Sequence, residues 1–142
     1  MMTRLCAGIG DLDALLQDTH KLESRYADIL VGPYPEMKHV YDERAPIKHI
    51  EQLSCPLLLL QGLDDRVVPP NQATTMYQAA LDNGVPAALI LFEGEGHGFR
   101  KAESIQRALN AELNFYGMIF GFEPDVREEV PLHTKPVSTG CI

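Results

Sequence analysis

The sequence predicts an α/β fold of three layers, in which helices cover both faces of a small parallel sheet. Two segments carry this prediction because each contains an unbroken apolar run: Pro56–Gln61 and Ala87–Phe92. Strands without polar alternation are typical of parallel sheets that are buried on both faces. The segment between them repeats its apolar residues every three to four positions, as a helix does. Strand, helix and strand in this order predict a parallel crossover unit.

The region before the first of these strands is predicted to be mostly helical. Apolar residues recur at helical spacing from Asp11, which can serve as an N-cap, to Leu30, and the breaker Gly32–Pro35 ends the pattern. A shorter helix is predicted over Glu36–Glu43, and Arg4–Ile9 is a candidate third strand. Because parallel sheets buried on both faces are rarely so small, the sequence predicts an incomplete sheet.

The region after the first strand contains two further predicted helices. One begins at Pro70 or Asn71 and ends near Gly84, which suits a left-handed C-cap. The other spans Ala102–Phe120, and its predicted buried face consists of Ile105, Ala108, Leu109, Tyr116 and Ile119. From residue 123 onward, prolines and mixed charge predict a loose tail. The predicted organisation is one structured portion over residues 1–122 and a tail over 123–142.

Composition excludes several classes of function. Twelve Lys and Arg against twenty Asp and Glu give the 142 residues a net charge of −8, which disfavours binding to a nucleic-acid backbone. The three cysteines are far apart, so neither a disulfide framework nor a zinc site is expected. No apolar run approaches the ~18 residues of a membrane helix. We therefore expect a soluble, cytoplasmic protein that binds neither a membrane nor a metal ion.

Polar side chains follow both predicted strands at the point where each strand ends. The first strand is followed by Asp64, Asp65 and Arg66, and the second by a glycine-rich loop that contains His97. Because the carboxyl ends of parallel strands meet at one edge of a sheet, an Asp and a His from these loops are expected to lie close together. A carboxylate that accepts the imidazole Nδ1–H fixes its tautomer and stabilises the imidazolium that forms when Nε2 takes a proton. Taken singly, each residue would also suit a turn or a cap.

The chain resembles the C-terminal part of serine peptidases of the prolyl oligopeptidase family in two stretches, CPLLLLQGLDDRVVPPNQATTMYQAAL and LILFEGEGHGFRKAESIQRALNAELNFYGMIFGF. The upstream stretch DLDALLQDTHKLESRYADILVGPYPE resembles the segment between nucleophile and acid in dipeptidyl- and acylaminoacyl-peptidase-like members. The resemblance covers roughly residues 5–122 and is most specific in the motifs D-D-x-V and G-H-G-F. It implies the C-terminal half of an α/β-hydrolase, with triad residues in the order Ser, Asp, His.

The resemblance also implies roles for individual residues. His97 matches the catalytic base, and Asp64 matches the acid, with Asp65 as the alternative because the loop could present either carboxylate. Arg66 matches a position where some members bind a substrate carbonyl, although a solvated arginine suits the position nearly as well. The implied reaction is hydrolysis of peptide or acyl-peptide bonds through an acyl-enzyme, without a cofactor.

The chain departs from the family pattern because it has no recognisable nucleophile. None of its four serines lies in a G-x-S-x-G motif: Ser24, Ser54, Ser104 and Ser138. The nucleophile and the oxyanion hole are therefore expected upstream of residue 1, and the chain is expected to be a truncated catalytic half that is inactive alone.

Two other functions stay open at this point. One is an esterase or dienelactone-hydrolase-like protein of the same fold. The other is a non-catalytic half-domain that pairs with a separately encoded N-terminal half or with a second copy. Pairing is expected because the sheet edge near Arg4–Ile9 would otherwise be unpaired. Under the peptidase hypothesis, the expected partner is the peptide substrate of the complete enzyme.

Overall fold

The computed structural model describes residues 3–6, 8–18 and 24–134. Within them, the strands are β1 (Thr3–Cys6), β2 (Leu57–Gly62) and β3 (Ala87–Phe92). The α-helices of the same ranges are α1 (Leu12–Asp18), α2 (Ser24–Leu30), α3 (Lys38–Arg44), α4 (Pro70–Asp82) and α5 (Ala102–Phe120). A 3₁₀ helix covers Pro46–Gln52.

The strands form one parallel sheet in the order β1-β2-β3. β2 lies in the centre, where Leu57 pairs with Thr3 on one side and with Ala87 on the other. All six residues of β2 are buried. Because the strands are parallel, the segments that follow β2 and β3 leave the sheet at the same edge.

Helices cover both faces of this sheet, which confirms the predicted three-layer α/β/α architecture. Alternate residues of β2 point to opposite faces, as the period of a strand requires. On one face Leu58 and Leu60 pack with Ala108, Ala111 and Phe115 of α5. On the other face their neighbours in β2 pack with α4 and with apolar residues of the 3₁₀ helix. The sheet is not closed and has three strands in the described part, as expected for an incomplete sheet.

The N-terminal region differs from its prediction in several details. The helical pattern expected from Asp11 to Leu30 corresponds to α1 and α2, and residues 19–23 between them lie outside the described ranges. The third helix starts at Lys38 rather than Glu36, and the 3₁₀ helix was not predicted. The candidate strand at Arg4–Ile9 is β1, which begins and ends earlier than predicted.

Helix α5 has the predicted bounds, and its buried face is partly as predicted, because Ala108 is buried and Tyr116 and Ile119 pack against the core. Ile105 and Leu109 were expected in the core but are 42% and 58% exposed. Four of the buried residues form a stripe with helical spacing: Ser104, Ala108, Ala111 and Phe115. Gly117 is buried on the opposite side of the helix, where a Cβ atom would lie 2.6 Å from the Phe122 carbonyl oxygen. Ile105 and Leu109 lie outside this stripe, so their side chains are largely in solvent. Neither α5 nor any other helix in the described ranges is both long and apolar enough to cross a membrane.

Residues 123–134 pack against the domain, which differs from the loose tail that the sequence predicts. Val130 and Leu132 contact the core beside α5. His133 exchanges two backbone hydrogen bonds with Ala87 at the start of β3, with N···O distances of 2.9 and 3.0 Å. Its Nδ1 also lies 2.7 Å from the Tyr77 hydroxyl. The remainder of the predicted tail, 135–142, lies outside the described ranges.

Candidate active site

Asp65 lies in the loop that follows β2 and is held there by backbone hydrogen bonds. The chain turns directly after the strand, where the Asp65 N–H donates to the Gly62 carbonyl at 3.4 Å. The Asp65 Oδ1 atom accepts hydrogen bonds from the N–H groups of Val67 and Val68, both at 2.9 Å. The residue is only 3% exposed. These bonds fix the carboxylate in one orientation and leave Oδ2 for another partner.

His97 lies in the loop between β3 and α5, and it is that partner. The loop turns at Gly94 and Gly98, whose φ angles of +68° and +90° are readily adopted only by glycine. The His97 Nδ1 atom lies 3.0 Å from the Asp65 Oδ2 atom, and the imidazole side chain is 47% exposed. Because an ionised carboxylate only accepts, the shared proton belongs to Nδ1 and leaves a lone pair on Nε2. The pair can therefore take a proton at Nε2 and stabilise the resulting imidazolium.

The prediction that Asp64 is the partner of His97 is wrong, because the alternative residue Asp65 makes the contact. Asp64 is exposed, and its backbone N–H donates to the Glu95 carbonyl at 2.9 Å. The cause is the turn after β2: the Asp65 side chain folds inward to accept the N–H groups that follow it, whereas the preceding side chain faces solvent. An Asp and His97 do lie in contact at one edge of the sheet, but the residue is Asp65 and not Asp64.

The two loops touch through their backbones at Gly62. A Cβ atom at this position would lie 2.4 Å from the Glu95 carbonyl oxygen and 2.6 Å from that of Gly96. Real Cβ atoms do not approach backbone oxygens so closely, so only glycine permits this arrangement. Two backbone hydrogen bonds reinforce it, from Leu63 to Phe92 at 3.0 Å and from Asp64 to Glu95. The separation of acid and base is thus set by the main chain.

Glu95 is a buried carboxylate that the sequence analysis missed. It is 2% exposed, and its two oxygens accept the backbone N–H groups of Arg100 at 2.8 Å and Lys101 at 3.0 Å. The hydrogen bond from Arg100, with further ones from the Ser104 side chain and from Lys101, lowers the pKa of the Glu95 carboxyl below its usual value. An acid directly before Gly-His in a glycine-rich loop was the available sequence signal.

Gln61 was also missed, although it is a polar residue at the end of an apolar strand. It is fully buried, and its Nε2 donates to the carbonyls of Gly62 at 3.0 Å and Val68 at 3.1 Å. The second bond ties the far end of the Asp65 loop to β2. Its buried Oε1 atom has no hydrogen-bond partner among the described residues.

The other candidate residues lie apart from the pair or face solvent. Arg66 is exposed beside Asp65, and its role in binding a substrate carbonyl stays a prediction. Ser54 precedes β2 at the opposite edge of the sheet, and Ser104 is buried on α5 against Glu95. The side chain of Ser24 and all of Ser138 lie outside the described part. Within that part, no three His, Cys, Asp or Glu side chains gather as metal ligands.

Comparison with known proteins matches the part of the chain that contains the sheet and the Asp–His pair. The model of the prolyl oligopeptidase family matches residues 5–123. Dipeptidyl aminopeptidase BIII of Pseudoxanthomonas mexicana is 35% identical over 69 residues, which are 49% of this chain and 10% of that protein. The acylamino-acid-releasing enzyme of Rattus norvegicus is 36% identical over 62 residues, 44% of this chain and 8% of that protein.

A solved structure extends the similarity over almost the whole chain. The puromycin-hydrolysing peptidase of Mycobacterium tuberculosis superposes with a TM-score of 0.87 and 46% identity. The superposition covers 92% of this chain but 20% of that one. The chain therefore spans a tenth or less of the two curated relatives and a fifth of the structural neighbour. With an α/β-hydrolase architecture, an Asp–His pair at its carboxyl edge and a family match over 5–123, this chain belongs to the prolyl oligopeptidase family of serine peptidases.

Proposed function

We propose that this chain supplies the acid–base half of a serine peptidase site, with His97 as the base and Asp65 as the acid that orients it. The observation that carries the proposal is the 3.0 Å hydrogen bond between His97 Nδ1 and Asp65 Oδ2 at the carboxyl edge of the sheet. His97 Nε2 removes the proton of a serine hydroxyl as that oxygen attacks the substrate carbonyl. It then returns the proton to the leaving amine, while Asp65 stabilises the intermediate imidazolium.

The nucleophile in this proposal comes from outside the 142 residues. None of the four serines of the sequence lies in a G-x-S-x-G motif, and the relatives that contain this portion are several times longer. Losing the nucleophile of a triad lowers turnover by about a million-fold, so the chain alone is expected to be inactive. A fluorophosphonate probe should leave the purified chain unlabelled. Stoichiometric labelling of one serine would contradict an external nucleophile.

The proposed substrates are peptides or acyl-peptides. The relatives are named dipeptidyl aminopeptidase, acylamino-acid-releasing enzyme and puromycin-hydrolysing peptidase. A base that can return its proton to a leaving nitrogen suits amide cleavage, because an amine leaves only after it is protonated. Ester cleavage does not need this proton as much, so the two substrate classes can be separated experimentally.

A hybrid enzyme tests the catalytic assignment. Residues 5–122 of this chain replace the matching portion of the puromycin-hydrolysing peptidase, and hydrolysis of an aminoacyl anilide and of the matching ester is measured. We expect anilide cleavage that falls about 10⁴-fold in Asp65→Asn, as removal of a triad acid does, and at least as far in His97→Gln.

The matched control is Asp64→Asn, which changes the neighbouring acid and should leave kcat within about threefold, because this side chain faces solvent. A hybrid in which Asp64→Asn abolishes turnover and Asp65→Asn does not would reverse the assignment. A folded hybrid that cleaves the ester but not the anilide would favour an esterase.

We also propose that the sheet is completed by a partner polypeptide, either an N-terminal half or a second copy. The support is the position of β1: it pairs with β2 on one side, and no other strand of the described ranges adjoins it. Open strand edges favour pairing with another chain. If the partner is a second copy, sedimentation of the purified chain at micromolar concentration should show self-association, and a folded, stable monomer would contradict this form of pairing.

A further inference from the structure

Glu95 differs from the neighbouring carboxylates of Asp64 and Glu93 because it is buried, whereas they are exposed. Its oxygens accept two backbone N–H groups, of Arg100 and Lys101, and it receives a further hydrogen bond from the Ser104 side chain. The acceptor lies two residues before His97, and the donors lie three or more residues after it. One carboxylate therefore closes the loop that carries the imidazole and ties it to the start of α5.

The backbone of Glu95 takes part in the contact between the Asp65 loop and the His97 loop. Its carbonyl accepts the N–H of Asp64 at 2.9 Å, and the same oxygen is the atom against which Gly62 packs. Glu95 thus joins three parts: the Asp65 loop through its carbonyl, the His97 loop through its own position, and α5 through its carboxylate. A shift of this residue would move the imidazole relative to Asp65.

We propose that Glu95 is a positioning residue for His97: its carboxylate fixes the loop over residues 95–101 and so holds the imidazole Nδ1 on Asp65. The role deepens the proposed function and rests on it, because positioning matters for catalysis only if His97 is the base. Glu95 touches neither the imidazole nor any reacting atom in this proposal. It acts through the loop.

An amide at this position cannot make the same contacts. The carboxylate offers two acceptor oxygens, one to each backbone N–H. Glutamine has nearly the same shape but offers a single acceptor, and its amide N–H₂ would face a backbone donor. Glu95→Gln therefore leaves one buried N–H without an acceptor. We expect the loop to relax and the imidazole to lose its fixed orientation.

The tautomer of His97 reports this orientation in the chain itself, without a nucleophile or a substrate. Long-range ¹H–¹⁵N correlation spectra at about pH 9, above the ordinary range of histidine, distinguish Nδ1–H from Nε2–H imidazole. In the native chain, we expect Nδ1–H to exceed Nε2–H by at least about tenfold, because a hydrogen bond to a carboxylate favours it. In Glu95→Gln, this ratio should fall at least about fivefold, as expected from loss of a charge-assisted bond.

The control is Glu93→Gln, an isosteric removal of a charge two residues away on an exposed side chain. It should keep the native tautomer ratio. If folded Glu95→Gln also keeps the native ratio, the positioning role is wrong, even if its stability is reduced. Should Glu95→Gln fail to fold, Ser104→Ala removes one of the three donors, and a smaller change of the ratio in the same direction is expected; an unchanged ratio overturns the proposal.

Asp65→Asn separates this inference from the proposed function. It should abolish the preference for Nδ1–H, because an amide replaces the accepting carboxylate. If it does so and Glu95→Gln does not, the pair exists and only the role of Glu95 fails. If Asp65→Asn leaves the ratio unchanged, the pair itself is absent in solution, and both proposals fail.

Discussion

Asp65 divides its carboxylate oxygens between two tasks. Oδ1 accepts two backbone N–H groups and fixes the side chain, and Oδ2 faces the imidazole of His97. The first task accounts for its burial, since a buried carboxylate is tolerated when its hydrogen-bonding capacity is used. The second gives the imidazole a single preferred tautomer. A neighbouring acid that lacks the first set of bonds cannot replace it in the second task.

Glu95 gives the stability of the chain a specific pH dependence. Hydrogen bonds to the ionised carboxylate place its folded-state pKa below the unfolded value near 4.5, and the bond from the Arg100 backbone N–H contributes most. A lowered folded pKa stabilises the protein above the unfolded pKa, and this contribution is lost as the pH falls through the folded pKa. We therefore expect the free energy of unfolding to fall below about pH 4.5 more steeply in the native chain than in Glu95→Gln, as measured by urea denaturation from neutral pH downward.

Glu93→Gln removes an exposed carboxylate of the same loop and should keep the native slope. Parallel pH profiles for the native chain and Glu95→Gln would contradict a lowered pKa at Glu95.

The sequence predicted the chemistry of the site better than its exact residues. His97 was predicted because its loop and an acidic loop follow neighbouring parallel strands, whose carboxyl ends meet at one edge of the sheet. The choice between Asp64 and Asp65 depended on which side chain turns inward, and this is decided by backbone N–H groups that sequence patterns do not locate. Glu95 escaped notice for a similar reason: its partners are backbone donors that become neighbours only after the loop has folded.

At the scale of elements, the contact between two loops at Gly62 fixes the site. The carbonyl oxygens of Glu95 and Gly96 occupy the space that a side chain would need. Gly62→Ala should therefore lower the free energy of unfolding by about 1–3 kcal/mol, the usual cost of overpacking, because backbone atoms must shift. Chemical denaturation measures the change.

Gly96→Ala is the matched control. Its Cβ would lie 3.7 Å from the Asp64 carbonyl, an ordinary contact, and should change stability by less than about 0.5 kcal/mol. Equal losses in the two variants would show that the backbone preference of glycine, rather than the close approach of the two carbonyl oxygens, explains why residue 62 is a glycine.

Helix α5 packs on the sheet through Phe115 and small residues rather than through Ile105 and Leu109. Phe115 is fully buried, whereas Leu109 is 58% exposed. Phe115→Ala should lower the free energy of unfolding by about 3–5 kcal/mol because it leaves a cavity against β2 and β3. Leu109→Ala should cost less than about 1 kcal/mol, since its side chain is largely in water already. Urea titration of both variants decides between this face and the one that the sequence predicted.

The bounds of elements were predicted better than their faces. β3 and α5 have the predicted limits, because apolar runs and flanking glycines mark where they begin and end. The buried face of α5 was predicted wrongly at two positions, since hydrophobicity alone ranks Ile105 and Leu109 above Ala111. Which stripe packs depends on how closely the helix approaches the sheet, a property of the assembled layers.

At the scale of the molecule, residues 123–134 behave as part of the domain. Val130 and Leu132 contact the core, and an ion pair joins Arg107 to Glu128 at 3.2 Å. A chain that ends at Phe122 should therefore have a free energy of unfolding about 2 kcal/mol lower than one that ends at Thr134, the scale of one apolar side chain leaving the core. Equal stabilities would show that the segment only rests on the surface.

The parallel direction of β1 decides what a joining polypeptide could contribute. A strand added alongside it in the same direction delivers its following loop to the rim that carries Asp65 and His97. One added antiparallel, as by a copy related through a two-fold axis perpendicular to the sheet, delivers that loop to the far rim. Symmetric dimerisation of that kind would bury the edge yet leave the imidazole without a serine. A strand from a different polypeptide that runs in the same direction as β1 would both cover the edge and bring its following loop to the imidazole.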